Sequence, residues 1–204
     1  MRILVVCAVA GELAALPHRG DVDVVVVGVG PVESAAGTAR ALAARSYDAV
    51  VNAGIGGGFR GRCTIGDAVA CAREDFADLG LEDGSAFPLP GGVALERTVD
   101  ADPDLLQPFL DGHIPVIVGR GVTSSIVTST DARAASLASR FRSDVESMEG
   151  FAVLRAALLA GIPAIEVRGI SNVVGDRATN GWNFRAGAEA AVATTGALLD
   201  VLLA

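Results

Sequence analysis

The chain has 204 residues, of which 51% are hydrophobic and 20% are charged, so it is long enough for a globular domain and too apolar for a disordered segment. Its net charge is −8 and all 16 basic residues are arginines, which argues against binding to a nucleic-acid backbone or to an anionic membrane surface. The absence of lysine excludes Schiff-base, pyridoxal-phosphate and Walker A chemistry.

The first half of the chain alternates strand-like and helix-like patterns. Continuous apolar runs rich in β-branched residues predict buried strands over 2–9, 22–27 and 48–52. A short helix over 12–16 and a longer one over 32–45 separate these strands. This alternation is typical of an α/β fold.

The middle of the chain, 61–112, is less regular. A strand is predicted over 67–71, and the segment 75–92, rich in glycine, aspartate and proline, predicts a long loop. Loops of this length are often functional or lie at an interface. Two further strands are predicted over 114–118 and 122–128.

The last part of the chain returns to regular alternation. Helices are predicted over 131–140, 148–160 and 185–203, with a strand over 164–170 and a polar loop over 171–183. The chain therefore predicts one α/β domain with a mostly parallel sheet. In such folds the site lies where loops leave the carboxyl ends of the strands.

Two glycine-rich segments follow predicted strands. Gly28-Val29-Gly30 begins like a dinucleotide-binding fingerprint, but Glu33 occupies the position of the third glycine, which disfavours a nicotinamide cofactor. The segment 54–58 lacks a clear long helix after it. Both segments predict tight turns, or backbone that approaches a small ligand closely, with Gly54 as a candidate contact.

The cysteines and histidines give no sign of a metal site. Three cysteines and two histidines offer no zinc-ligand spacing, so free thiols in a reducing compartment are expected. The apolar N-terminal run is too short to span a bilayer and lacks a signal-peptide cleavage pattern. We therefore expect a cytoplasmic protein.

Two carboxylates near the ends of predicted strands can bear chemistry. Glu12, just past the first strand, suits a general base that activates water, although a solvated acid in a first helical turn is the alternative. Glu149 can accept two hydrogen bonds from a vicinal diol while Met148 lies against a sugar face. An acid at a helix N-terminus is again the alternative for Glu149.

Four motifs in order resemble the purine nucleoside phosphorylase and nucleosidase family. They are A-x-x-G-E-L near the N-terminus, N-A-G-x-x-G-G, S-M-E-G and V-R-x-I-S-[DN], and their order and spacing fit over 1–204. The runs S-M-E-G-F-A-V-L-R-A-A and V-R-G-I-S-N-V-V-G-D-R most resemble the futalosine hydrolase subfamily.

The resemblance implies both a fold and a reaction. The expected fold is three-layered, with a mixed sheet that curls into a distorted barrel and is flanked by helices. The expected reaction is hydrolysis of the N-glycosidic bond of futalosine, in menaquinone biosynthesis, without metal or cofactor. By the resemblance, Glu12 positions and deprotonates water, while Met148 and Glu149 hold the ribose. Related phosphorylases have an arginine-bearing phosphate loop where this chain has 8–12 without arginine, which favours hydrolysis over phosphorolysis.

Asn172 departs from the pattern of the adenine-specific nucleosidases. They carry at this position an aspartate that protonates purine N7, whereas an amide can donate to both N7 and O6 of a 6-oxopurine. Asn172 therefore favours hypoxanthine as the leaving base, with Ser171 as a candidate to orient the amide.

Other polar and aromatic residues are weaker candidates for the site. Ser124, with Thr123 and Ser125, is expected to bind base or ribose unless these are ordinary strand hydroxyls. Trp182 and Phe184 can stack on the purine or anchor the last helix.

Among the charged candidates, Arg168 is expected to pair with a buried carboxylate. Asp176 and Arg177 are expected to form a salt bridge within a loop or part of a lid. Arg60, Arg62 and Arg73 are unranked candidates to bind the carboxylate of the substrate.

Several alternatives stay open at this point. A methylthioadenosine or S-adenosylhomocysteine nucleosidase, a purine nucleoside phosphorylase and a non-catalytic nucleoside-binding module share the same motifs. By analogy with the family we expect a homo-oligomer, most simply a dimer, in which Phe87 and Phe109 help to close a neighbouring site. Ile55 occupies the position where some relatives have a serine that helps to hold the water.

Overall fold

A ring of five hydrogen-bonded strands forms the centre of the molecule. The computed structural model describes residues 1–81, 89, 91, 94–178 and 180–204. The strands in these ranges are β1 (Ile3–Cys7), β2 (Val22–Val26), β3 (Ala49–Gly58), β4 (Ala68–Phe76), β5 (Thr98–Asp100), β6 (Ile117–Thr123), β7 (Val145–Ser147) and β8 (Ala164–Val173).

The sheet is mixed and closes on itself. Its strands follow the order β2-β1-β3-β7-β6-β4-β5, and β8 pairs with both β3 and β4. The ring therefore runs β3-β7-β6-β4-β8 and back to β3. Within it, β8 is parallel to β3 and antiparallel to β4, while β7 is antiparallel to β3. The barrel predicted from the family resemblance is confirmed.

Helices cover both faces of the sheet. They are α1 (Pro31–Ala44), α2 (Pro103–Leu110), α3 (Asp131–Phe141), α4 (Gly150–Leu159) and α5 (Phe184–Leu202). One apolar core packs α2 and α5 against the sheet, and another packs α1 and α4 against its opposite face. Among the described residues, no helix combines the length and hydrophobicity that a bilayer span requires.

Several predicted boundaries were wrong. The glycine-rich segment 54–58 continues β3 instead of forming a turn, and β8 continues through 171–173 into the predicted polar loop. The predicted strand 122–128 ends at Thr123, and the predicted helix 12–16 is a single 3₁₀ turn, Ala10–Glu12. Pairing inside the ring extends strands beyond what local propensity indicates.

The irregular middle of the chain contains two elements that the sequence analysis missed, β5 and α2. Asp102 caps α2 by accepting from the backbone N–H groups of Asp104 and Leu105 at 3.0 and 3.3 Å, and Pro103 occupies the first turn. Phe109 packs in the core, so its predicted role at a neighbouring site was wrong. Phe87 lies outside the described residues, as does most of the predicted loop beyond 81.

Gly169 on β8 allows the close approach of α5. A Cβ at Gly169 would lie 1.9 Å from the carbonyl oxygen of Gly187 and 2.6 Å from the backbone nitrogen of Ala191. We expect Gly169→Ala to lower the free energy of unfolding by about 3 kcal/mol in urea denaturation, because the helix backbone must move.

Gly196→Ala is the matched control, since a Cβ at Gly196 of the same helix meets no atom within 4 Å. It should leave the free energy of unfolding unchanged or raise it by up to about 1 kcal/mol. Equal destabilisation by both substitutions would contradict the close-packing explanation.

Candidate active site

A cavity of about 250 Å³ opens at the end of the barrel where β3 and β8 finish. It is bounded by the segments after β1 and before α1, by the junction of β7 and α4, and by the start of α5. Its lining comprises Ala8, Val9, Glu12, Val29, Ile55, Gly56, Gly57, Val127, Glu146, Ser147, Met148, Glu149, Ser171, Asn172, Trp182 and Phe184.

Glu12 is held in the cavity wall by backbone amides. Its Oε2 accepts from the N–H groups of Ala8 and Val9, both at 3.0 Å, and its Oε1 accepts from the N–H of Ile55 at 3.0 Å. The side chain is 6% exposed. An ionised carboxylate can accept about four hydrogen bonds, so one acceptor position remains for a water in the cavity.

Glu149 lies where β7 passes into α4, and two groups orient its carboxylate. Its Oε1 accepts from the N–H of Gly30 at 3.0 Å, and its Oε2 forms an ion pair with Nη2 of Arg168 at 3.2 Å. Met148, half-buried beside it, lines the same cavity. A carboxylate next to an apolar thioether is suited to the hydroxyl groups and the carbon face of a ribose.

Arg168 is a buried charge between these two carboxylates. It is 1% exposed; its Nε donates to Oε1 of Glu166 at 2.5 Å and its Nη1 donates to the carbonyl of Ile55 at 3.1 Å. The backbone of Ile55 thus connects the two side chains, because its N–H donates to Glu12 and its carbonyl accepts from Arg168. Burial lowers the pKa of Arg168, but Glu166, Glu149 and Glu12 outweigh it and raise the pKa above its usual value. The expected pairing of Arg168 with a buried carboxylate is confirmed.

Gly54 lies behind the site and does not line the cavity. A Cβ at Gly54 would lie 2.6 Å from Oε1 of Glu12 and 2.8 Å from Nη1 of Arg168. Its lack of a side chain therefore makes room for these two charged groups, which differs from the predicted contact with substrate.

Asn172 presents an oriented amide to the cavity. Its Oδ1 lies 2.9 Å from the hydroxyl of Ser171, which also lies 3.2 Å from the carbonyl of Gly56, and its Nδ2 donates to the carbonyl of Val173 at 3.3 Å. The Ser171 hydroxyl donates to Oδ1 and so fixes which end of the amide is the oxygen. Of the two N–H groups on Nδ2, one donates to Val173 and the second is left for a ligand. The geometry matches the orienting role predicted for Ser171.

Comparison with known proteins gives consistent relatives. The phosphorylase superfamily model matches residues 2–204. Futalosine hydrolase of Streptomyces coelicolor is 37% identical over 186 residues, 88% of this chain and 79% of that protein. Futalosine hydrolase of Acidothermus cellulolyticus is 36% identical over 172 residues, 81% and 70% of the two chains. The solved structure of a 5′-methylthioadenosine/S-adenosylhomocysteine nucleosidase from Colwellia psychrerythraea, in complex with adenine, matches with a TM-score of 0.83 at 21% identity. The match covers 98% of this chain and 95% of that chain.

The chain belongs to the phosphorylase superfamily, in the futalosine hydrolase family. The resemblance inferred from the four motifs is thereby confirmed. Seven residues that the sequence analysis offered for the site also lie together in the cavity of this superfamily fold: Glu12, Met148, Glu149, Ser171, Asn172, Trp182 and Phe184.

Two hydroxyls of the predicted strand 122–128, those of Thr123 and Ser124, are engaged outside the cavity. The hydroxyl of Ser124 lies 2.8 Å from the carbonyl of Ile126 and accepts from Nη2 of Arg133 at 2.9 Å. Thr123 donates to Glu74 at 2.8 Å and accepts from the N–H of Phe151 at 2.7 Å. Ser124 therefore holds the segment that presents Val127 to the cavity.

The aromatic residues lie at the cavity opening. The rings of Trp182 and Phe184 are 5.0 Å apart, and the guanidinium of Arg177 lies 4.9 Å from the Trp182 ring centre. The three arginines proposed for the substrate's carboxylate lie elsewhere: Arg62 is 3.8 Å from Asp144, Arg73 is 3.5 Å from Asp100, and Arg60 lines a separate hollow beside α3. Arg177 thus contacts the ring of a residue that lines the cavity, whereas the contacts given for Arg60, Arg62 and Arg73 are with other parts of the chain.

Glu146 is a cavity residue that the sequence analysis missed. Its Oε1 accepts from the hydroxyl of Thr128 at 2.5 Å, and burial raises the pKa of its carboxyl group. A three-residue strand such as β7 has too little length for its periodicity to show which side chains face the cavity.

A second carboxyl group supports Glu166 inside the barrel. Glu74 is fully buried, accepts from Thr123, and lies with Glu166 and Cys71 in a cluster whose polar atoms are within 4.8 Å of one another. Burial and then the charge of Glu166 raise the pKa of Glu74 well above its usual value. Burial disfavours the charged form of Glu166, but the positive charge of Arg168 favours it, and the pKa of Glu166 lies below its usual value. Glu74 is therefore the protonated partner, which donates to an ionised Glu166.

The shared proton predicts a pH dependence of stability. Glu74 keeps its proton in the folded chain above pH 4.5, where the unfolded chain loses it, so stability falls as pH rises from about 4.5. Glu74→Gln should remove this contribution, which is up to about 1.4 kcal/mol per pH unit. The free energy of unfolding in urea, measured at several pH values between 5 and 8, checks it.

Glu96→Gln, which changes an exposed carboxylate, is the control and should keep the slope of the unmodified protein. If Glu74→Gln also keeps that slope, the proton is not shared in the folded barrel.

Proposed function

We propose that this protein hydrolyses the N-glycosidic bond of futalosine and releases hypoxanthine and dehypoxanthine futalosine, a step of menaquinone biosynthesis. The observation that carries the proposal is the convergence of Glu12, Glu149 and Asn172 in one cavity. Identity of 37% to a futalosine hydrolase supports the choice of substrate.

The residues have complementary roles in this reaction. Glu12 takes a proton from water through its remaining acceptor position, while the water oxygen forms a bond to the anomeric carbon. The bond from that carbon to purine N9 breaks, and its electron pair passes to the base. The proton that Glu12 has taken from water passes through solvent to the departing base, which restores the carboxylate and gives neutral hypoxanthine. Glu149 accepts hydrogen bonds from ribose hydroxyls as positive charge develops on the sugar. Asn172 donates to the base as negative charge develops there.

The charge of the cavity favours water over phosphate as the attacking group. Glu12, Glu146 and Glu149 line it, and no arginine is among the lining residues that the structure describes. Arg168 lies behind the wall and is already compensated by carboxylates. A phosphate dianion would therefore enter a site with acidic walls and no free cation among the described lining residues.

The cavity opening supports a further proposal about assembly. Val9, Val29 and Phe184 line the opening and are 48%, 51% and 57% exposed. Apolar side chains at the edge of a site are suited to a second copy of the chain. We propose a homodimer, which sedimentation in solution would test. The three cysteines are free, and this supports our proposal that the protein lies in a reducing compartment, the cytoplasm.

One assay tests the proposed function against its alternatives. Release of free base from futalosine, inosine and methylthioadenosine is followed by chromatography, with and without phosphate. The proposal expects hypoxanthine release from futalosine that does not depend on phosphate. Preference for methylthioadenosine, or dependence on phosphate, would support the nucleosidase or phosphorylase alternative. Absence of any base release would support a non-catalytic nucleoside-binding module.

Glu12→Gln tests the role of the general base. The amide fills the same space but cannot take a proton, so kcat should fall by about 10²- to 10⁴-fold while KM changes little. Steady-state kinetics with futalosine give both values, and Glu96→Gln serves as the control. Turnover like that of the unmodified protein would contradict the role of Glu12.

Asn172→Asp tests recognition of the leaving base. A carboxyl group at this position suits adenine and repels O6 of hypoxanthine, so the ratio of kcat/KM for adenosine to that for inosine should rise by about tenfold or more. Asn183→Asp adds the same charge near the cavity, while aspartate can still cap α5. An unchanged ratio in Asn172→Asp, or an equal change in the control, would count against base recognition by Asn172.

A further inference from the structure

A buried network of four side chains crosses the inside of the barrel: Arg168 and Glu166 on β8, Glu74 on β4 and Thr123 on β6. None of them is more than 1% exposed. Nε of Arg168 donates to Oε1 of Glu166 at 2.5 Å, and the hydroxyl of Thr123 donates to Oε2 of Glu74 at 2.8 Å. The proton of Glu74 joins the two halves, since Oε1 of Glu74 and Oε2 of Glu166 have no other partner among the described residues.

Both ends of the buried network reach the first turn of α4. At one end, Nη2 of Arg168 forms the ion pair with Oε2 of Glu149 at 3.2 Å. At the other end, the hydroxyl of Thr123 accepts from the backbone N–H of Phe151 at 2.7 Å, two residues after Glu149. The network therefore holds Glu149 twice, by its carboxylate and by the backbone that carries it.

Two glycines make room for the pair of carboxyl groups. A Cβ at Gly150, the residue that follows Glu149, would overlap Oε2 of Glu166. A Cβ at Gly121 would overlap Oε1 of Glu74. These are the two oxygens that share the proton, so the barrel has space for the pair only because both positions lack a side chain.

Stability alone gives no reason for a carboxyl group at position 74. Apolar side chains that replace a buried ionic network often leave a protein equally stable or more stable. As a neutral acid, Glu74 adds a hydrogen-bond donor without adding charge, so Arg168 keeps its attraction for Glu149. Hydrogen bonds behind a binding residue fix the orientation of that residue, and this is the effect that the geometry of the network provides.

We infer that Glu74 and Thr123 are positioning residues, which hold Glu149 in place for the 2′- and 3′-hydroxyl groups of a ribose. The inference rests on the proposed function, in which Glu149 accepts hydrogen bonds from ribose hydroxyls. Neither Glu74 nor Thr123 lines the cavity. They act through Arg168 and the first turn of α4, and a small displacement of a group that binds substrate is costly.

A nucleoside that cannot be hydrolysed tests this role without turnover. The first probe is carbocyclic inosine, in which a methylene group replaces the ring oxygen of the ribose. The second probe is its 2′,3′-dideoxy form, which lacks both hydroxyl groups. Trp182 is the one tryptophan of the chain and lines the cavity, so its fluorescence reports binding. The unmodified protein should bind the first probe at least about tenfold more tightly than the second, and Glu149→Ala should lose most of this preference.

Two pairs of variants separate the hydrogen bonds of the network from its volume. Glu74→Met fills the space of the carboxyl group without a donor, and Thr123→Val removes only the hydroxyl group. Each should lower the preference for the first probe by about three- to tenfold, with little change in affinity for the dideoxy probe. Glu74→Gln keeps a donor and an acceptor, and Thr123→Ser keeps the hydroxyl group, so both should retain the preference within about twofold.

Leu198→Ala is the control for a general loss of stability. Leu198 is fully buried in the apolar core between α5 and the sheet. Its truncation weakens the fold without touching the network, so the preference for the first probe should stay as in the unmodified protein. If Glu74→Met does not fold, the Thr123 pair decides the test.

Equal weakening of both probes in Glu74→Met and Thr123→Val would overturn the inference and leave the network as a support of the barrel. An unchanged preference in these variants, or an equal loss in Leu198→Ala, would overturn it as well. If the variants lose the preference but the unmodified protein does not hydrolyse futalosine, the inference stands and the proposed function fails. If futalosine is hydrolysed while both variants keep the preference, only the inference fails.

Discussion

The buried guanidinium of Arg168 is the interaction on which the site depends. A charge inside a barrel is tolerated only when opposite charges and hydrogen bonds compensate its desolvation. Glu166 and Glu149 pair with it directly, and Glu12 reaches it through the backbone of Ile55. The two carboxylates of the proposed chemistry are therefore positioned by one cation that does not line the cavity.

Barrel closure explains why glycines surround this cation. A side chain at Gly54 would collide with Arg168 and Glu12, and one at Gly56 would meet Val145 of β7 at 2.7 Å. The same closure brings the ends of β3, β7 and β8 together and gives each cavity carboxylate a different partner. Amides hold Glu12, a cation and an amide hold Glu149, and a hydroxyl holds Glu146. Equivalent side chains thus acquire separate roles from their surroundings.

Much of the fold was predictable because the strands and helices alternate with strong patterns. Helix α2 was missed although Asp102-Pro103 is a start signal for a helix, since the surrounding segment reads as irregular. The extent of β3 was missed because glycine has low strand propensity, and pairing with β8 overrides it. Ser124 was misplaced because β6 ends one residue earlier and its hydroxyl turns toward Arg133.

The sequence by itself determined the family, through four motifs in order, and with it Glu12, Glu149 and Asn172 as residues of one site. The tertiary structure decided that Glu146 faces the cavity and that Arg168 joins the carboxylates from behind. The physical reason is that local periodicity shows which residues are apolar, whereas the register of a closed barrel sets which side chains meet. A pairing such as Gly57 with its two neighbours exists only once the ring has closed.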